Sequence, residues 1–60
     1  MNSKIIANIA FSLCEINNWT MERLDIQKYE YDSFVGYSAQ LITNEGIYLI
    51  GQDGTVERSK

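Results

Sequence analysis

Between Lys4 and Ile16 the polar residues Lys4, Asn8, Ser12 and Glu15 recur at intervals of three and four, and every other position is apolar. At the angular step of an α-helix these four fall in one stripe about 80° wide, which predicts an amphipathic helix over residues 4–16. Ser3 can cap its start. Asn17-Asn18 can end it, because asparagine tolerates the left-handed backbone conformation. The remaining apolar arc is much wider than the stripe of a little over 100° that a helix on a sheet normally buries. Within it Ile5, Ile9, Leu13 and Ile16 make one face, expected against a sheet. Ala7, Ala10, Phe11 and Cys14 make a second face whose small residues would let another helix approach closely, so these four are the candidate self-association surface.

After Trp19 the pattern changes to alternation broken by turn residues, with strands expected over about 20–31, 34–43, 47–52 and 55–59. Asp53-Gly54, flanked by Gln52 and Thr55, suits a two-residue hairpin. Asn44-Glu45-Gly46 suits a three-residue loop between Thr43 and Ile47, with Gly46 taking the positive φ angle, and Asp32-Ser33 closes the first hairpin. The expected architecture is α+β: one N-terminal helix packed on a four-stranded antiparallel meander sheet, as one domain over residues 1–60. Met21, Leu24, Lys28 and Tyr31 also fit helical spacing, so a second helix is the competing reading of residues 20–31.

The turns set registers, and registers set faces. Tyr31 opposite Phe34, Thr43 opposite Ile47 and Gln52 opposite Thr55 would collect Leu24, Ile26, Val35, Tyr37, Ala39, Leu41, Ile47, Leu49 and Val56 on the face under the helix. Ala39 beside Gly51 would leave a slot there for Ile9 or Leu13. The opposite face would carry Tyr29, Tyr31, Phe34, Ile42, Tyr48 and Ile50. A free sheet face is normally polar. Six large apolar or aromatic side chains on it mark a candidate partner-binding surface, and tyrosine suits such a role because it offers contact area with a polar tip. Four of the chain's seven aromatic residues lie in the nine-residue stretch YEYDSFVGY, residues 29–37.

Size sharpens this picture. A chain of 6.9 kDa exposes about 10,000 Å² unfolded and about 4,000 Å² folded. The apolar share of the buried difference contributes about 90 kcal/mol, and ordering the 60 residues costs about the same. Stability gained from self-association therefore matters. The single cysteine, Cys14, excludes an intramolecular disulfide, and the lack of histidine excludes a Cys/His zinc site. Both fit a reducing, cytoplasmic setting. MNSKIIANIAFSLC has the outline of a lipoprotein signal, but Asn8 interrupts its apolar run and Leu13 stands before the cysteine where a small residue is expected. The run is also too short to span a membrane.

The chemistry of catalysis is missing from the pattern. Glu22 with Asp25, or Glu30 with Asp32, are spacings ordinary in solvated strands and turns, and Gly36, Gly46, Gly51 and Gly54 belong to strands and turns instead of a phosphate-binding loop. No enzymatic activity, cofactor or metal is expected. The net charge of −3 and the scattering of Lys4, Arg23, Lys28, Arg58 and Lys60 argue against phosphate-dominated nucleic-acid binding. The expected function is a homodimeric protein-binding module, a regulator or inhibitor that occupies a partner's surface. Stacking of single-stranded nucleic acid on the aromatics, or service as an accessory subunit of a larger complex, are the competing readings.

Overall fold

The computed structural model describes residues 3–59, apart from the Tyr31 side chain. Helix α1 (Ser3–Asn17) is followed by strands β1 (Met21–Tyr31), β2 (Phe34–Thr43), β3 (Gly46–Gly51) and β4 (Val56–Ser59). The strands form one antiparallel sheet in the order β1-β2-β3-β4, so the architecture is the α+β meander expected, and residues 21–31 are strand, not helix. Helix α1 ends in a Schellman motif. Asn18 adopts φ 58°, its N–H donates to the Glu15 carbonyl at 3.4 Å, and the Trp19 N–H donates to the Cys14 carbonyl at 2.8 Å. The backbone thereby reverses into β1 with the last helical carbonyls satisfied.

The helix seats the middle of its apolar arc on the sheet. Ile6, Ala10 and Cys14 are buried with Ala39, Leu41 and Ile50, and Ile9, Leu13, Trp19, Met21, Leu24, Tyr37 and Tyr48 pack around them. This corrects the division of the arc into two faces. Ala10 and Cys14, expected to self-associate, are part of the core of the single chain; Ala7 is half-buried, and of that set Phe11 alone is exposed. Centring the arc places both of its edges at the surface, with Ile5 and Ile16 on one side and Phe11 on the other.

Thr43 sets the register of the second hairpin. Its hydroxyl accepts the Glu45 N–H at 3.1 Å and donates to the Gly46 carbonyl at 2.9 Å, and Thr43 pairs with Gly46. The loop is thus two residues, Asn44-Glu45, one shorter than expected. Since side chains alternate along a strand, that single step turns all of β3 over. Tyr48 and Ile50 face the helix, opposite Leu41 and Ala39, while Ile47 and Leu49 fall on the outer face. At the third hairpin, the Gly51 N–H donates to the Thr55 carbonyl at 2.9 Å and the Gly54 N–H to the Gly51 carbonyl at 3.0 Å, with Gly54 at φ 92°. This is a three-residue turn with glycine in the left-handed position, not the two-residue turn expected. Gly51 pairs with Ser38, so the slot beside Ala39 does not form; Ile50 fills that place.

The strands are unequal in length. β2 pairs with β1 throughout Phe34–Thr43 but with β3 only over Ser38–Thr43. The rest of the first hairpin projects as a two-stranded arm, and every described side chain from Ile26 to Val35 is exposed. The molecule is accordingly elongated, 37 × 21 × 17 Å. Its accessible surface of 4328 Å² exceeds the roughly 4,000 Å² typical of this mass.

Candidate protein-binding surface

On the outer face of the arm, Tyr29 pairs directly with Gly36 and stands diagonal to Phe34. A Cβ at position 36 would lie 2.5 Å from the Tyr29 ring, so the tyrosine lies flat over the glycine and shields a stretch of backbone that has no side chain of its own. The Phe34 ring meets it at a centroid distance of 6.2 Å and a tilt of 44°, a favourable aromatic geometry. Tyr29 remains 46% exposed and Phe34 51%. Their mutual contact does not bury them.

At the other end of the same face Ile42 pairs with Ile47, and Leu49 is exposed nearby. Phe34 and Ile42 are eight residues apart on β2, about 26 Å along the strand. Between the two apolar ends runs a shallow trough of 680 Å³ bordered by Arg23, Asp25, Gln27, Ser38, Gln40 and Leu49. The six-residue patch expected from the sequence is therefore rearranged. Tyr29, Phe34 and Ile42 stand on the outer face as expected; Tyr48 and Ile50 are removed to the helix side by the β3 register; Ile47 and Leu49, assigned to the core from the sequence, replace them. The Tyr31 side chain lies outside the described structure.

Trp19 stacks on Tyr48 at 4.4 Å between centroids, which gives the inward tyrosine an aromatic partner at the end of the helix. No periodicity announces this stack, because Trp19 belongs to neither helix nor strand.

The outer face is mildly acidic, with Arg23 set against Asp25 and Glu57. Arg23 is held by Asp25 at 3.0 Å, and Lys28 and Arg58 stand at positions that alternate to the helix side. Lys28 meets Glu30 at 3.4 Å, and Arg58 donates to the Glu45 carbonyl at 3.3 Å. Exposed pairs of this kind contribute little stability. Among the described residues of the outer face the one cation, Arg23, is thus paired with Asp25.

Among the described residues two groups have altered acidity. Burial pushes the Cys14 thiol up, away from the thiolate form a nucleophile requires. Asp53 is held below the ordinary aspartate value because its carboxylate accepts the Thr55 hydroxyl at 2.8 Å and the Thr55 N–H at 3.2 Å. That arrangement locks a turn. Among the described residues no group of His, Cys, Asp or Glu converges as a metal-binding set, and no helix is long and apolar enough to cross a membrane. Comparisons with models of known families, with curated proteins and with solved structures find no match for this chain.

Proposed function

We propose that this chain is a non-enzymatic protein-binding module, a homodimeric regulator or inhibitor that acts by occupying a partner protein's surface with the outer face of its sheet. The observation that carries this reading is the Tyr29–Phe34 pair: two large rings in contact with one another, each about half exposed, on an arm that the third strand does not reach. Aromatic side chains of this kind supply the anchors of protein interfaces. The polar trough and the Ile42–Ile47 end supply a rim and a second point of contact. A reducing, cytoplasmic setting suits the free Cys14 thiol.

The test is a paired affinity capture from native host cells, with the wild-type chain and the Tyr29→Ala/Phe34→Ala variant as baits and circular dichroism to compare their folds. The expected result is a specific set of proteins held by the wild type and lost by a variant of unchanged spectrum. Identical captures by both baits would remove the aromatic pair from the binding surface, and an unfolded variant would reassign the rings to structural support.

A further inference from the structure

We propose that the groove along α1 lined by Ile5, Asn8, Ile9, Ser12, Leu13 and Ile16 is the seat of the same helix of a second copy, docked antiparallel about a twofold axis. This rests on the homodimeric part of the reading above and gives it a surface. The groove has a volume of 380 Å³ and runs along the apolar edge that the sheet leaves uncovered, with Ile5 43% and Ile16 80% exposed.

Two features select a second copy as the occupant. The first is the spacing of the lining residues, which is symmetric about the point midway between Ala10 and Phe11. A twofold axis through that point sets Ile5 against Ile16 of the second copy, Asn8 against its Leu13, and Ile9 against its Ser12. The Ile5–Ile16 contact, the one pairing of the three that is apolar on both sides, is then made twice, as an isologous interface requires. The second feature is charge. Within α1 the one base, Lys4, lies in the first turn and the one acid, Glu15, in the last, and the helical step puts both on the polar flank beside the groove. In a parallel pair the two polar flanks would lie on opposite sides of the seam, and Lys4 would not meet Glu15 across it. Antiparallel helices bring Lys4 of each copy to the neighbourhood of Glu15 of the other and oppose the two helix dipoles.

The size of the face sets the strength of the dimer. A helix of 15 residues is about 22 Å long and about 10 Å across, so it contributes a few hundred Å² per copy, less than the roughly 800 Å² of a standard interface. A face below the standard size fits weak, reversible association.

Sedimentation equilibrium from about 5 μM to about 500 μM tests this, with circular dichroism to verify the fold of each variant. Wild type should pass from monomer to dimer across the range. Ile5→Glu/Ile16→Glu, at two exposed positions, should weaken the dimer at least about tenfold, whereas Phe11→Glu on the opposite helix edge should leave it intact. Lys4→Glu alone should also weaken it. Lys4→Glu/Glu15→Lys should restore it, and this exchange favours the helix dipole, so loss of folding does not imitate loss of association. Tyr29→Ala/Phe34→Ala should dimerise like wild type, so that the dimer and the aromatic capture surface stand or fall separately. A monomer at every concentration, a dimer that survives Ile5→Glu/Ile16→Glu, a failure of the charge exchange to restore association, or a dimer lost with the aromatic pair would overturn the proposal.

Discussion

Trp19 lies on Tyr48 with ring centroids 4.4 Å apart and planes inclined by only 19°. Trp19 follows the residue that terminates α1, and its N–H closes the helix cap on Cys14; Tyr48 stands in β3, opposite Leu41. One contact therefore ties the end of the helix to the third strand. Truncation of Trp19 to alanine should lower the unfolding free energy by about 3 kcal/mol, most of what a single core of this size supplies. Urea denaturation followed by far-ultraviolet circular dichroism measures this, with Trp19→Phe expected to retain most of the stability. A loss below about 1 kcal/mol would show that the stack does not hold the corner together.

Where β3 stops at Gly51, the side chain of Gln52 continues its work: Oε1 accepts the Tyr37 N–H at 2.8 Å. Gln52→Ala should release that N–H and cost about 1 kcal/mol. Amide hydrogen exchange gives the sharper readout, since Tyr37 should exchange about tenfold faster or more while Leu41, within the β2–β3 ladder, keeps its protection. Unchanged exchange at Tyr37 would show that the side chain does not hold the base of the arm.

Asp53 gives the third turn a pH dependence of known sign. Its folded pKa is depressed, chiefly by the hydrogen bonds from Thr55, so the stability it contributes is fully present above the unfolded value of about 3.9 and disappears as pH falls through the lower folded value. An NMR titration of its carboxyl carbon should give a midpoint below the ordinary aspartate value, and Asp53→Asn should flatten that part of the acid unfolding curve. A midpoint at or above the ordinary value would dissolve this account of the turn.

Much of the fold was legible because local signals and faces agreed. The four polar residues of α1 located the helix, Asn18 ended it, and the Asp32-Ser33 turn placed Leu24 opposite Leu41 and Ile26 opposite Ala39. The errors came from one-residue ambiguities that only packing resolves. Gly46 can end a three-residue loop or begin a strand, and the Thr43 hydroxyl decides for the strand by bonding both Glu45 and Gly46. That choice moved Tyr48 and Ile50 out of the candidate surface and moved Ile47 and Leu49 into it. For the helix, the wide apolar arc told how much surface was greasy but not which line along it would meet the sheet. Seating Ile6, Ala10 and Cys14 buries the centre of the arc, and small Ala10 at its midpoint lets the helix approach closely, whereas the sequence alone left Ala10 looking like a surface for another chain.

The mismatch between an eleven-residue β1 and a six-residue β3 also bears on how such a chain can diverge. Substitutions between Gln27 and Val35 answer mainly to neighbours across a single hairpin, while a change at Ile6, Leu41 or Ile50 must satisfy a packed interior. The projecting end is therefore open to substitutions that the packed body beneath it cannot accept.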